Sequence, residues 1–282
     1  MADCREQVYS DEFFDFIVSY EETNEQTIAG ACIQRIDEGY DIFYYPREGL
    51  PPLNVGSYSY SEIPKCYGLL DQTALEVSGI LKMQNQPVLA LKGRGVLIGF
   101  IDTGIDYTNP AFRYSDGSSR IVRIWDQTIQ DGTSPVGILY GAEYTREQIN
   151  AALLSENPYD LVPSRDRNGH GTFLAGVACG SESENGDFIG AAPQSEIIMV
   201  KLKEAKQYLR DFFFVKDGVP AYQENDIMMA VSYLNGVANI LNRPLVICVA
   251  LGNSAGSHAS EGFLPSYLNY ICGRRKRVVV TA

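Results

Sequence analysis

The sequence predicts an α/β protein with a doubly wound, mostly parallel sheet, preceded by a small α+β unit. In the run 96–101, large apolar residues lie close together beside glycines, as in a strand that is buried on both faces. Similar apolar runs downstream are separated by helical patterns, which is the order that βαβ units produce. A group of prolines and a glycine between positions 46 and 56 separates the beginning of the chain from the rest.

The small α+β unit is predicted over residues 1–60. Aromatic and β-branched residues at 13–18 and 40–45 predict two strands. Residues 21–31 between them predict a short helix. Residues 56–60, which are glycine, serine and tyrosine, are expected to form an exposed linker.

The larger part, residues 61–282, has alternating strand and helix signals. Its clearest helix covers 146–154, where Thr145 and Gln148 form a capping box. The polar segment 126–163 around this helix is expected on the surface. In chain order, the other predictions are a helix at 71–81, strands at 120–125 and 196–202, a helix at 225–241, and strands at 245–251 and 277–282.

Charge and composition exclude several classes of function. The formal net charge is −12 and the sequence pI is near 4.7, which argues against nucleic acid and against an anionic membrane surface as partners. No apolar stretch is long enough to span a membrane. The first twelve residues are polar and acidic, unlike a signal peptide. The sequence therefore favours the cytoplasm over classical secretion.

The six cysteines are scattered along the chain without a C-x-x-C pair. In a chain of this length, such spacing predicts buried free thiols rather than a disulfide framework or a zinc site. No carboxylate cluster has a convincing calcium-loop spacing. The sequence therefore predicts no cofactor and assigns no metal ligands.

Two short motifs carry the chemistry that the sequence predicts. Asp102 follows the apolar run 96–101, and a carboxylate buried there is costly unless it is hydrogen-bonded. Ligands and catalytic groups collect at this end of parallel strands. His170 lies between Gly169 and Gly171, in a turn that opens a predicted helix. A histidine is more often structural than catalytic, but these glycines allow close backbone approach around the ring and favour a catalytic role.

The motifs Asp-Thr-Gly-Ile-Asp at 102–106 and Gly-His-Gly-Thr-x-x-Ala-Gly at 169–176 resemble the aspartate and histidine motifs of the subtilisin-like serine peptidases, or subtilases. They also occur in the family's order. The Gly-Ala-Ala-Pro turn at 190–193 continues the resemblance. Segments 125–128 and 163–166 resemble the clostridial branch, which includes spore germination proteases. Association with the spore is therefore a second expectation for the location, beside the cytoplasm.

The resemblance implies an endopeptidase that cleaves polypeptides with an Asp-His-Ser triad. Asp102 would orient His170, and His170 would take a proton from a serine hydroxyl and return it to the leaving amine. The end of strand 245–251 would form one wall of the substrate pocket, with the substrate added to its exposed edge as an extra strand. The candidate substrate-binding residues are Ala250, Leu251, Gly252 and Asn253. His258, in the following loop, is given no catalytic role.

The sequence departs from the family at the nucleophile. The motif Gly-Thr-Ser-x-Ala and the oxyanion-hole asparagine are not found after the predicted substrate wall. We expect both beyond Ala282, so that this chain alone is a truncated, inactive form. Ser134 lies in a similar Gly-Thr-Ser string, but proline follows it and no helix does. Residues 1–60 resemble the family's pro-segment, and a cleavage junction is predicted near Tyr60-Ser61.

Two other functions stay open at this point. A subtilase-like protein without a nucleophile could bind or regulate instead of cutting. Gly93, Gly95 and Gly99 resemble a nucleotide-binding loop, but they precede the strand, whereas a phosphate loop follows one. Calcium is common among subtilases, although no ligands can be named here. The sequence does not determine the oligomeric state.

Overall fold

The structure is a computed structural model that describes residues 5–19, 32–37, 39–69, 91–183, 188–253 and 261–281. The helices predicted at 21–31 and 71–81, and His258, lie outside the described residues. Within these ranges, no helix combines the length and the apolar character needed to cross a membrane.

The N-terminal unit is built on a small antiparallel sheet. Helix α1 (Arg5–Tyr9) is followed by strands β1 (Phe13–Ser19), β2 (Cys32–Asp37) and β3 (Tyr40–Pro46). The middle strand is β3, which pairs with both others in antiparallel register. Both strands that the sequence predicts in this unit are therefore confirmed.

The segment predicted as an exposed linker is exposed except at Tyr58, which is half-buried. The Tyr58 ring stacks on Phe16 with 5.1 Å between ring centroids. Further on, the Glu62 carbonyl accepts a hydrogen bond of 2.9 Å from the Ile17 N–H, and Ile63 is fully buried in the same apolar cluster. Contacts of the N-terminal unit thus continue past the linker. The boundary between residues 60 and 61 stays a prediction.

The remaining elements alternate between strands and helices. The strands are β4 (Cys66–Leu69), β5 (Leu97–Asp102), β6 (Ile121–Asp126), β7 (Ala142–Thr145), β8 (Glu196–Lys201), β9 (Tyr222–Gln223), β10 (Leu245–Val249), β11 (Leu251–Gly252) and β12 (Arg277–Thr281). The helices are a 3₁₀ turn (Pro110–Phe112), α2 (Arg146–Leu153), α3 (Pro158–Leu161), α4 (His170–Cys179), α5 (Gln207–Phe212), α6 (Glu224–Ile240) and α7 (Phe263–Cys272). The capping box at Thr145 is present.

The central sheet places β5 among parallel neighbours. In the described residues its order is β12-β10-β5-β8-β6-β7, and every pair except β6–β7 is parallel. Leu97 and Ile101 of β5 pack in the core on the α6 side, whereas Ile98 and Phe100 pack on the α4 side. Helices therefore cover both faces, which confirms the predicted doubly wound α/β fold.

The segment 126–163 is not confined to the surface, contrary to the prediction from its polarity. Tyr140, Ile149 and Val162 are fully buried, and β7 adds an antiparallel strand to the edge of the central sheet. The average polarity of the segment conceals a few well-spaced apolar residues, and these anchor it to the core.

A third, small sheet lies within the larger part of the chain. Strand β4 lies between β11 and β9 and is antiparallel to both. The strand predicted at 245–251 is therefore split. It leaves the central sheet after Val249, because the backbone groups of Leu251 and Gly252 pair with β4 instead.

The cysteines follow the prediction only in part. Cys66, Cys179, Cys248 and Cys272 carry free thiols, and Cys272 is exposed. Cys32 is disulfide-bonded, so the expectation of free thiols throughout is wrong. Disulfide formation depends on which side chains the fold brings together, and spacing along the chain does not reveal this.

Candidate active site

Asp102 and His170 meet at the carboxyl end of β5. Asp102 is the last residue of the strand and is 1% exposed, and His170 is the first residue of α4. The His170 Nδ1 atom lies 2.9 Å from Asp102 Oδ1 and 3.0 Å from Oδ2. Because an ionised carboxylate only accepts hydrogen bonds, Nδ1 carries the proton and Nε2 is the basic nitrogen. The structure thus brings together the two residues that the sequence singles out.

The close approach of β5 and α4 depends on glycine. Gly169 precedes the helix with a φ of +90°, which is a left-handed conformation that residues with a side chain disfavour. A Cβ atom on Gly171 would lie 2.2 Å from the Gly104 carbonyl oxygen and 3.0 Å from Asp102 Oδ1. Any larger residue at position 171 would therefore separate His170 from Asp102.

The pair combines a buried acid with an accessible base. Burial raises the pKa of Asp102, and hydrogen bonds from the Thr103 N–H, at 2.7 Å, and from His170 oppose that rise. The His170 side chain remains 15% exposed. Burial, with the nearby charge of Asp102, raises the pKa of Cys248 to about 11, so this thiol is not a thiolate nucleophile at neutral pH. The arrangement suits a general base held by an orienting acid.

The four predicted substrate-binding residues lie where the chain leaves the central sheet. Ala250 is buried, Leu251–Gly252 form β11, and Asn253 is exposed. They follow β10, which is the parallel neighbour of β5. They therefore lie at the same end of the sheet as Asp102.

One edge of β11 is occupied by the chain itself. Leu251 pairs with Leu69, and Gly252 pairs with Gly68. On its other side, β4 pairs with β9. Strand β4 thus lies between two strands and is antiparallel to both, as an extended peptide bound by strand addition would be.

Contacts with Glu224 anchor the start of β4. The Glu224 N–H donates to the Lys65 carbonyl at 2.7 Å, and the Glu224 carboxylate accepts from the Lys65 N–H at 3.1 Å. The Lys65 ammonium group lies 3.7 Å from the same carboxylate. On β9, burial raises the pKa of Tyr222, and nearby carboxylates that include Asp102 add to the rise. Because β4 pairs with β11, which follows β10, it lies at the same end of the central sheet as Asp102.

Asp166, which is not among the site residues predicted from the sequence, connects both motifs. Its carboxylate accepts hydrogen bonds from the Thr103 and Thr172 hydroxyls, at 2.8 and 2.6 Å. Burial raises the pKa of Asp166, but these hydrogen bonds and one from the Gly169 N–H outweigh it and hold the pKa below its usual value. The available signal was an aspartate four residues before His170, in a turn with asparagine and glycine.

Two other predicted features lie apart from the pair. The Ser134 hydroxyl donates to the Gly141 carbonyl at 3.0 Å, in the loop before β7 and at the far edge of the sheet from β10. In the part of the chain that the structure describes, no group of three or more His, Cys, Asp or Glu residues could hold a metal ion. Calcium binding stays untested.

Comparison with known proteins gives the family. The sequence profile of the subtilase family matches residues 93–282, which is more than half of the chain. The matched part contains Asp102, His170 and the whole central sheet. The chain belongs to the subtilase family. By family, therefore, it carries a subtilisin-like serine peptidase domain.

Curated relatives of this subtilase match only part of it. The subtilisin-like protease SBT2.2 of Arabidopsis thaliana is 28% identical over 126 residues, which cover 39% of this chain and 15% of the relative. The intracellular serine protease of Paenibacillus polymyxa is 28% identical over 111 residues, which cover 39% of this chain and 24% of the relative. The major intracellular serine protease of Bacillus subtilis is 22% identical over 193 residues, which cover 64% of this chain and 50% of the relative. The chain thus spans half or less of these relatives.

A solved structure supports the narrower resemblance. The CspB protease of Clostridium perfringens aligns with a TM-score of 0.60 and 34% sequence identity, over 72% of this chain and 38% of that one. The similarity fits the clostridial branch of the subtilases, which the sequence resembles.

Proposed function

We propose that this subtilase is a serine endopeptidase and that the chain holds its general base and orienting acid. The observation that carries the proposal is the hydrogen bond from His170 Nδ1 to the Asp102 carboxylate. A polypeptide is the proposed substrate, since the neighbouring strand β11 already binds an extended segment. The nucleophilic serine and the oxyanion asparagine are expected outside these 282 residues.

In this mechanism, Asp102 keeps the imidazole in the tautomer that carries its proton on Nδ1. The Nε2 atom of His170 then accepts the proton of the serine hydroxyl while the oxygen attacks the peptide carbonyl. The negative charge of Asp102 stabilises the imidazolium, which gives its proton to the leaving amine as the peptide bond breaks. Water attacks the acyl-enzyme in the second half of the cycle, with His170 again as the base.

The proposed place for the substrate is the gap between β11 and β9. Strand β4 fills this gap, and its backbone pairs with β11 and β9 are those that we propose for a bound polypeptide. A substrate would therefore have to displace Cys66–Leu69. If the enzyme processes its own chain, this placement favours a cut after Leu69. Sequencing the N-terminus of the mature protein distinguishes a cut after Leu69 from a cut at the junction predicted at Tyr60-Ser61.

The test of the peptidase proposal is covalent labelling with a fluorophosphonate, which reacts with an activated serine. The protein is expressed from its complete gene, weighed, and labelled after any N-terminal processing. We expect one label per molecule, and we expect His170→Ala to abolish it. Ser134→Ala is the matched control and should label normally. A mature protein that takes no label would overturn the proposal and favour the non-catalytic binding or regulatory function.

We also propose that the protein works in the cytoplasm or the spore. Two of its relatives are named intracellular serine proteases. Fractionation of the producing cells, followed by immunoblotting, should find the protein in these fractions. Its accumulation in the culture medium of intact cells would contradict the proposal.

A further inference from the structure

Asp166 is the acceptor of a dense set of hydrogen bonds beside the catalytic pair. Its Oδ1 atom accepts from the Thr103 hydroxyl at 2.8 Å and from the N–H groups of Asn168 and Gly169 at 3.1 and 2.8 Å. Its Oδ2 atom accepts from the N–H and the hydroxyl of Thr172, at 2.9 and 2.6 Å. Five donors therefore converge on one carboxylate, and they come from the residue after β5, from α4 and from the turn between Asp166 and the helix.

The two threonine hydroxyls carry these bonds across the site. The Thr103 hydroxyl donates to Asp166 and accepts from the Gly171 N–H at 3.0 Å. The Thr172 hydroxyl donates to Asp166 and accepts from the Asp106 N–H at 2.8 Å. Each hydroxyl has a single proton, and Asp166 receives both. The lone pairs of the two hydroxyl oxygens are thereby left to accept from the Gly171 and Asp106 N–H groups.

Two cross-links result, one from Thr103 to Gly171 and one from Thr172 to Asp106. The first joins the residues next to the catalytic pair. Thr103 follows Asp102 and holds Gly171, which follows His170. We propose that Asp166 is a positioning residue that sets the His170 ring against the Asp102 carboxylate through these cross-links. That this positioning serves catalysis rests on the proposed peptidase function. The positioning of the His170 ring does not depend on that function.

An amide cannot replace the Asp166 carboxylate. In Asp166→Asn, one oxygen remains as an acceptor, and the new NH₂ group faces donors on its other side. If the oxygen faces Thr103, both donors of Thr172 lose their acceptor. If the amide adopts the opposite orientation, the three donors that face Oδ1 in the unchanged chain lose their acceptor. Either orientation breaks at least one of the two cross-links while the size of the side chain is kept.

The test is NMR of the His170 imidazole in the 282-residue chain labelled with ¹⁵N. The chain has only two histidines, so a spectrum of His170→Ala assigns the signals by difference. In the unchanged chain we expect a single tautomer, protonated on Nδ1, with a proton resonance that is protected from exchange. In Asp166→Asn we expect loss of the Nδ1 proton resonance and a mixture of tautomers, while circular dichroism shows a folded chain.

A matched control separates positioning from a general effect on folding. Asp116 makes a similar turn, in which its carboxylate accepts from the N–H and the hydroxyl of Ser118, at 2.9 and 2.6 Å, but it has no bond to either motif. Asp116→Asn should leave the His170 signals unchanged. If Asp166→Asn does not fold, Thr172→Val removes one cross-link alone and should reduce the protection of the Nδ1 proton.

The proposal is overturned if folded Asp166→Asn, or Thr172→Val in its place, retains the His170 tautomer and the Nδ1 proton signal. A purely structural role would lower the melting temperature and leave these signals intact in the folded chain. The readout needs no nucleophile, so it is independent of the labelling experiment. Altered His170 signals in a protein that takes no label would support the positioning role and overturn the peptidase function.

Discussion

Two buried carboxylates of the chain have different kinds of partner. Asp102 is 1% exposed, and its partner His170 keeps 15% of its side chain exposed. Asp15, from the N-terminal unit, is also 1% exposed, but the side chain of its partner Lys206 is only 3% exposed. The Lys206 ammonium group lies 2.5 Å from Asp15 Oδ1 and also donates to the Gln7 carbonyl.

The surroundings of the second pair close it from water. The side-chain amides of Gln223 and Asn225 donate to Asp15 Oδ2, at 2.8 and 3.3 Å. A pair closed on all sides holds two parts of the chain together, whereas a pair with an accessible imidazole can exchange a proton with a ligand. The accessibility of the partner, and not the burial of the carboxylate, therefore distinguishes the candidate catalytic pair.

Gln223 connects the two regions. Its backbone pairs with Cys66 in β4, while its side chain donates to Asp15 and accepts from the Lys206 N–H at 2.9 Å. The strand that borders the proposed substrate gap is therefore held by the same carboxylate that fixes the N-terminal unit.

The largest effect expected at either pair is that of Asp102→Asn on catalysis. The new amide would donate to the imidazole and favour the wrong tautomer, so kcat should fall by about 10⁴-fold. Burial raises the pKa of Asp102, so ionising it costs stability as pH rises from about 3.9 towards the higher folded-state value. Because the uncharged amide avoids this cost, Asp102→Asn should unfold at pH 7 at a temperature no lower than that of the unchanged protein. The measurements are peptide hydrolysis, in a form of the protein that takes the serine label, and thermal unfolding.

A large loss of stability in Asp102→Asn would contradict the difference between the two pairs, because both carboxylates would then have the same structural role. Unchanged kcat in a labelled protein would contradict the catalytic role. His170→Ala, which removes the base itself, is the reference for full loss of activity.

The next largest effect is expected from Asp15→Asn, on stability. Removing one partner of a buried ion pair leaves the Lys206 charge uncompensated, at a cost of about 3–5 kcal/mol in the free energy of unfolding. Burial lowers the pKa of Lys206, and Asp15 opposes that shift. The variant should therefore regain stability as pH rises from the folded-state pKa of Lys206 towards about 10.4, because the unfolded chain binds the proton more tightly there. Urea unfolding at pH 7 and pH 9 measures both effects.

A loss of less than about 1 kcal/mol in Asp15→Asn at pH 7 would contradict the structural role of the closed pair. A loss that grows as pH rises would show that Lys206 is not the group left unpaired.

The smallest effect is expected from Arg35→Gln, which breaks an ion pair within the N-terminal unit. Arg35 lies 3.5 Å from Asp41, but its side chain is 69% exposed. Exposed ion pairs contribute little, so the free energy of unfolding should change by less than about 1 kcal/mol. Urea unfolding should be measured beside Asp15→Asn, since Asp15 and Arg35 belong to the same small unit and differ in how far their ion pairs are buried. Equal losses would show that burial of the partner is not the deciding factor.

The sequence predicts the fold class and the Asp102–His170 pair because both depend on local patterns. The buried strand before Asp102 is visible as a run of apolar residues, and the turn before His170 is visible as glycines. The helix that begins at Arg146 is predicted from its capping box, whose residues are three apart. In each of these cases the deciding contacts lie within a few positions along the chain.

The tertiary structure alone decided the contacts between distant segments. Asp15 and Lys206 are 191 positions apart, and Leu69 meets Leu251 only because the chain folds β4 against β11. In the sequence, Asp166 resembles an ordinary turn residue. Only the fold brings the Thr103 hydroxyl, just after β5, and the donors of Thr172 in α4 next to its carboxylate. The candidate residues for the chemistry can be named from the sequence, because residue type and local backbone pattern identify them. Which carboxylate is open to a ligand and which is closed depends on what packs around each, and that was decided only by the fold.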